Sequence, residues 1–68
     1  MVLVFKTDVQ DALRADYLVE KLKTRFPAWR INFDLEDCDR VLRVEGAIPE
    51  AGMIAEVLRE AGCRCEEL

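Results

Sequence analysis

The amino-acid sequence predicts an α+β sandwich, in which two helices cover one face of a four-stranded antiparallel sheet. The first observation is that three stretches resemble strands in composition or alternation, namely "VLVFKT", "WRINFDL" and "RVLRVEG". The second is that apolar residues recur at helical spacing in "DVQDALRADYLVEKLKTRFP" and "IPEAGMIAEVLREAG". The order strand, helix, strand, strand, helix, strand, with right-handed crossovers, gives a ferredoxin-like fold with strand order 4-1-3-2. We expect one such domain, spanning residues 1–68.

The first strand and the first helix are predicted from composition and period. β-branched and aromatic residues favour a strand from Val2 to Thr7. In the following stretch one helical face carries Ala15, Leu18, Val19, Leu22 and Phe26. Asp8 is the expected N-cap, and the helix dipole favours the carboxylate of Asp11 near the same end. Pro27 ends the helix, because a proline cannot continue it.

The central part of the sequence predicts a hairpin. Strict alternation places Trp29, Ile31, Phe33 and Leu35 on one face of a half-buried strand. The next run repeats the pattern, with Leu42 and Val44 directed to the core and with Val41, Arg43 and Glu45 on the other face. The polar link "EDCD" between them is typical of a turn, because aspartates tolerate turn geometry and bond their own backbone.

The second helix and a last short strand complete the fold. Pro49 suits the first turn of this helix, and Gly62 is a typical stop signal. Its buried stripe is expected to consist of Ile54, Val57, Leu58 and Ala61. In the last strand, "CRCEEL", alternation directs Cys63 and Cys65 toward the helices, where unpaired cysteines pack as small apolar groups.

Composition excludes several classes of function. The chain has 68 residues, a net charge of −4, no histidine and three cysteines. The negative charge disfavours a nucleic-acid partner, and no apolar run is long enough for a membrane partner. With no histidine and no nucleophile beside an evident base, neither catalysis nor a cofactor is expected. The absence of a leader-like segment and the odd number of cysteines predict a cytoplasmic protein with reduced thiols.

The sequence also resembles the heavy-metal-associated superfamily, which contains small copper-chaperone-like domains. The similarity covers nearly the whole chain and rests on "VLVFKT", "NFDLEDCDRVLRVEG" and "IPEAGMIAEVLREAGC". Metal-carrying members of that family have Met-x-Cys-x-x-Cys after the first strand, and the corresponding "KTDVQDAL" has no cysteine. The resemblance therefore implies the family's scaffold without its pair of thiolate ligands for a soft ion.

The topology gathers chemically active side chains at one end of the predicted fold. The candidate residues there are Asp8, Glu36, Asp37, Cys38, Asp39 and Cys63. Three interpretations remain open. The first is an ordinary polar turn with Cys38 as a small filler. The second is a weak site for Ca²⁺ or Mg²⁺ made of carboxylates. The third is a thiolate site from Cys38 with Cys63 or Cys65, which the neighbouring acids disfavour.

The sheet face that the helices leave open is the expected interaction surface. Outward alternation assigns to it Val2, Val4, Val41, Arg43 and Glu45. A small apolar centre surrounded by charges of both signs is typical of protein interfaces. The sequence therefore predicts a homodimer or a complex with another protein through this face, and weak metal binding at the acidic end is the alternative.

Overall fold

The computed structural model describes all 68 residues. In chain order the elements are β1 (Val2–Thr7), α1 (Ala12–Arg25), β2 (Arg30–Asp34), β3 (Val41–Glu45), α2 (Ala51–Glu60) and β4 (Cys65–Glu67). The strands form one sheet in the order β2-β3-β1-β4, and every neighbouring pair is antiparallel. This is the predicted order read from the opposite edge, so the ferredoxin-like α+β fold is confirmed.

The core lies between the helices and one face of the sheet. Alternate strand residues and one stripe of each helix form a single cluster of twelve buried side chains, which are Phe5, Val9, Ala15, Leu18, Leu22, Ile31, Leu42, Val44, Ile54, Val57, Leu58 and Cys63. Because both helices pack on the same face, the opposite face is not covered by either of them. Neither helix has the length and apolar character needed to cross a bilayer.

The start of α1 differs from the prediction. Asp11, not Asp8, is the N-cap, and its side chain accepts a hydrogen bond of 2.8 Å from the backbone N–H of Arg14. Asp8 instead accepts a hydrogen bond of 2.8 Å from the backbone N–H of Arg64, 56 positions along the chain. Both aspartates have a suitable side chain for a cap, and the antiparallel pairing of β1 with β4 brings Asp8 beside Arg64.

The end of α2 confirms the stop signal at Gly62. This residue has φ +82°, a conformation that costs a residue with a Cβ atom roughly 1–2 kcal/mol. The N–H of Cys63 donates to the carbonyl of Leu58 at 2.9 Å, and the N–H of Gly62 donates to that of Arg59 at 3.0 Å. These two bonds are the Schellman pattern. At the other end the N-cap is Glu50, so Pro49 lies just before the helix, not in its first turn as expected.

One aromatic cluster closes the end of the sandwich where α1 finishes. The rings of Phe26 and Trp29 are stacked with their centroids 4.0 Å apart, and both side chains are half-buried against the core. Trp29 also lies directly over Gly46, so that a Cβ atom at Gly46 would stand 2.6 Å from Trp29 Cδ1. Gly46 is therefore needed for this close approach.

Candidate functional site

The acidic turn between β2 and β3 is longer than the four residues predicted, because the strands end at Asp34 and begin again at Val41. Its own carboxylates shape it. Asp34 Oδ1 accepts from the N–H of Glu36 at 3.2 Å, and Asp37 Oδ1 accepts from the N–H of Asp39 at 2.9 Å. These are the side-chain-to-backbone bonds expected of aspartates in turns.

Thr7, which the sequence did not single out, joins the turn to β1. Its N–H donates to the carbonyl of Asp39 at 3.0 Å, and its buried hydroxyl donates to the carbonyl of Arg40. The same hydroxyl oxygen accepts from the N–H of Val9 at 3.3 Å. The signal in the sequence was alternation along β1, which turns Thr7 toward the core. A hydroxyl buried there needs hydrogen-bond partners.

Five of the six predicted end residues form two groups, and Glu36 belongs to neither. Asp37, Cys38 and Asp39 lie together, with one potential ligand atom from each residue within 4.8 Å of the others. Asp8 and Cys63 belong instead to the junction between α2 and β4, and Glu36 is exposed outside the ligand group. The structure therefore brings together three of the six residues.

Cys63, which lies between α2 and β4, is hydrogen-bonded to an arginine of α1. Its sulfur accepts a hydrogen bond from Arg14 Nε at 3.4 Å, and Arg14 Nη2 donates to the carbonyl of Ala61 at 2.6 Å. The hydrogen bond to Cys63 raises the pKa of Arg14, and the charge interaction with the same cysteine acts in the same direction. Arg14 thus joins the start of α1 to the end of α2 through groups separated by almost fifty positions in the sequence.

The three cysteines are free and occupy three different environments. Cys38 is exposed at the acidic turn. Cys63 is buried and Cys65 is half-buried, as alternation toward the helices predicted. Burial raises the pKa of the Cys65 thiol, and the nearby positive charge of Arg59 acts in the opposite direction.

The open face of the sheet presents its side chains in three rows across the strands. The strand register gives the rows Arg30–Glu45–Val2 and Asn32–Arg43–Val4, and in the third row the two pairs Asp34–Val41 and Lys6–Glu66. Leu68 extends the middle row, because its N–H donates to the carbonyl of Val4 at 2.8 Å and continues the pairing of β1 with β4. Basic and acidic side chains are therefore neighbours in the outer two rows.

Two residues change the predicted interaction surface. Val41, which alternation assigned to the open face, is only 8 % exposed and so contributes little apolar surface there. It pairs with Asp34 of β2, directly after the acidic turn. Leu68, 64 % exposed, was missed, although its alternation with Glu66 placed it on this face.

Val2, Val4 and Leu68 thus form the apolar part of the open face, which we call the apolar strip. Val2 is 46 % exposed and Val4 is half-buried. Arg43 and Glu45 are exposed directly beside these valines on β3, as predicted. This arrangement can bury a modest apolar area while the flanking charges pair with those of a partner.

Comparisons of the chain with protein-family models, with curated proteins and with solved structures found no match. The resemblance to heavy-metal-associated domains therefore stays a prediction from residue pattern. In the structure the segment between β1 and α1, residues 8–11, holds two aspartates and no cysteine.

Proposed function

We propose that this chain is a non-enzymatic cytoplasmic interaction module that associates with a second copy of itself through the open sheet face. The observation that carries the proposal is the apolar strip, Val2, Val4 and Leu68, which lies on the one sheet face without helices. An apolar area flanked by charges of both signs is the usual composition of an interface.

Charge favours a second copy at this face over other faces. The three rows carry three basic residues and three acidic residues, whereas the whole chain has ten basic and fourteen acidic residues. The entire excess of negative charge therefore lies elsewhere on the molecule. Two copies that meet through their open faces avoid most of the repulsion that an acidic protein experiences on other approaches.

The size of the domain limits the affinity of such a dimer. The two longest dimensions of the molecule are 27 and 21 Å. A standard stable interface takes about 800 Å² from each partner. Nearly the whole sheet face would have to be covered to reach that area, so we expect association at micromolar concentrations. A two-fold arrangement is the simplest, because each copy then offers the same surface.

Sedimentation velocity tests the proposal at protein concentrations of about 1–200 μM, which bracket the micromolar affinity expected for an interface of this size. We expect the sedimentation coefficient of the wild-type chain to rise toward that of a dimer. Arg43→Glu places a like charge beside Glu45 on the exposed face and should weaken the association about tenfold or more, since like charges in an interface cost several kcal/mol.

Lys21→Glu is the matched control. It makes the same change of charge on exposed α1, away from the sheet, and should leave the concentration dependence unchanged. A wild-type chain that stays monomeric throughout, or equal weakening by both variants, contradicts the proposal. Val41→Asp is unsuitable as a test, because it would bury a carboxylate in the folded monomer.

A second candidate function is weak cation binding by Asp37, Cys38 and Asp39, favoured by the 4.8 Å spacing of their ligand atoms. Two carboxylates suit Ca²⁺ or Mg²⁺, and a set of mixed oxygen and sulfur ligands suits Zn²⁺ better. Against a strong site, Asp37 already accepts a backbone hydrogen bond, and Lys6 stands 4.0 Å from Asp39.

Thermal denaturation with each cation tests this second candidate, since a ligand that binds only the native state raises the Tm. We expect a concentration-dependent rise with one of the three cations that Asp39→Asn abolishes. Asp16→Asn, a change of the same kind on exposed α1, should leave the rise intact. No rise at millimolar cation contradicts it.

A further inference from the structure

Two adjoining depressions, of about 570 and 550 Å³, lie between α1 and β2 and share Ile31 and Asn32 in their walls. Charged side chains of opposite sign line the two depressions. The first contains the acids Asp16, Asp34 and Glu36 and no base, and the second contains the bases Lys23 and Arg30 and no acid. None of these five side chains forms an ion pair within 4.0 Å, because the single pair of the structure joins Lys6 to Asp39. This edge of the molecule therefore has an acidic end and a basic end.

β2 offers a free strand edge between these two ends. It pairs with β3 on one side and has no strand partner on the other. Because a strand directs its N–H and C=O groups alternately to its two sides, part of its backbone groups face outward without a strand partner. The segment Arg30–Asp34 contains no proline, so each residue keeps its N–H donor. Phe33 and Leu35 are half-buried and add apolar surface beside the edge.

The charges of β2 are complementary to those of a second copy that runs antiparallel to it. A two-fold axis at Asn32 places Arg30 of each copy opposite Asp34 of the other, and Ile31 opposite Phe33. The same axis exchanges the two ends of the edge, so the acidic depression of one copy lies beside the basic depression of the other. Opposite charges that face each other across neighbouring strands stabilise the pairing.

The other edge of the sheet, β4, lacks this complementarity. Cys65–Glu67 has only three residues, with two glutamates and no base. Two copies that met through this edge would bring like charges together, which destabilises a strand pair. A second copy is therefore favoured at β2.

We propose that β2 pairs with β2 of a second copy in antiparallel register about Asn32, so that two four-stranded sheets continue as one sheet of eight strands. This contact goes beyond association through the open sheet face and does not depend on it. Two five-residue strands cover much less than the roughly 800 Å² per partner of a standard interface, so we expect the edge contact to be the weaker one. A chain that uses both contacts forms assemblies larger than a dimer.

Disulfide trapping tests the proposed register. The two Asn32 Cα atoms would lie about 4.5–5.5 Å apart, within the roughly 4.4–6.8 Å that a disulfide spans. Asn32→Cys, in a chain that also carries Cys38→Ser to remove the exposed native thiol, should therefore form an intermolecular disulfide under mild oxidation. Glu20→Cys, exposed on α1, is the matched control for random collision. We expect Asn32→Cys to link about tenfold faster or more, because pairing raises the effective concentration of one thiol at the other.

Reversal of charge tests the complementarity. Arg30→Asp in the Asn32→Cys chain gives each copy two aspartates, and Asp34→Arg gives each copy two arginines. Each variant alone should link about tenfold more slowly, since the altered pair occurs twice in each dimer. A mixture of the two variants restores opposite charges at both positions. The mixed disulfide, identified by its mass, should form about as fast as the link between unreversed chains.

The proposal is overturned if Asn32→Cys links no faster than Glu20→Cys, or if the mixed disulfide forms no faster than the links within each charge variant. Arg43→Cys separates this result from contact through the sheet face. Arg43 pairs with Asn32 on the neighbouring strand, so its two copies would lie about 14 Å apart in the eight-stranded sheet, too far for a disulfide. Linking at Arg43→Cys without linking at Asn32→Cys would support the sheet-face contact and refute the edge contact.

Discussion

Gly46→Ala gives the sharpest test of the packing described above. The new Cβ atom would lie 2.6 Å from Trp29 Cδ1 and 3.0 Å from Trp29 Nε1. Carbon atoms in favourable contact are about 3.5–4.0 Å apart, so the indole ring has to move by about 1 Å. The ring is held by its stack on Phe26, with the planes 13° from parallel.

The expected cost follows from these contacts. Overpacking of this kind costs about 1–3 kcal/mol. Loss of the stack on Phe26 contributes up to about 1.5 kcal/mol within that range. For a domain of this size each kcal/mol lowers the Tm by about 4–8 °C. We therefore expect Gly46→Ala to lower the free energy of unfolding by about 2 kcal/mol.

Urea denaturation followed by fluorescence measures this change directly, because Trp29 is the only tryptophan of the chain. Gly52→Ala is the matched control: a Cβ atom there meets nothing within 4 Å, and the residue lies in α2. That control should gain about 0.4–1 kcal/mol, since alanine restricts the unfolded chain. If both substitutions stabilise the domain, Trp29 does not approach Gly46 as described.

Three further predictions concern the two helices and the Cys65 thiol. Asp11→Ala should lower the free energy of unfolding by about 1 kcal/mol through loss of the N-cap, whereas Asp8→Ala should leave the helix content of α1 by circular dichroism unchanged. Gly62→Ala should cost about 1–2 kcal/mol in urea denaturation, because its φ of +82° strains a residue with a Cβ atom. Because burial raises the pKa of the Cys65 thiol, its alkylation by iodoacetamide should require a higher pH than that of an ordinary thiol; half-maximal labelling at or below the ordinary value, read by mass spectrometry, would contradict this.

The elements of the fold were predictable because each follows from local pattern. The alternation of Ile31 and Phe33 with polar neighbours, and the helical spacing of Leu18 and Leu22, fixed which side chains face the core. Side-chain direction is a property of a residue and its immediate neighbours, with a period of about 2 in strands and 3.6 in helices. The end of α2 at Gly62 was also predictable, because a glycine directly after a helical run is a local stop signal.

The candidate site was predictable only in part. The acidic turn was located, and Asp37, Cys38 and Asp39 do lie together there. Asp8 was assigned to the cap of α1, although Asp11 is the cap. Nothing in the local sequence separates these two aspartates, because both precede the helix and both can accept a backbone hydrogen bond. The partner of Asp8 is the N–H of Arg64, which only the pairing of β1 with β4 brings near.

The sequence by itself determined the order of the elements, the face that each strand turns to the core and the absence of cysteines between β1 and α1. The tertiary structure decided which distant groups meet, Arg14 with Cys63 and Asp8 with Arg64, and it buried Val41 on an otherwise open face. The physical reason is that period is encoded by neighbouring residues, whereas proximity depends on strand register and on how the helices cross the sheet.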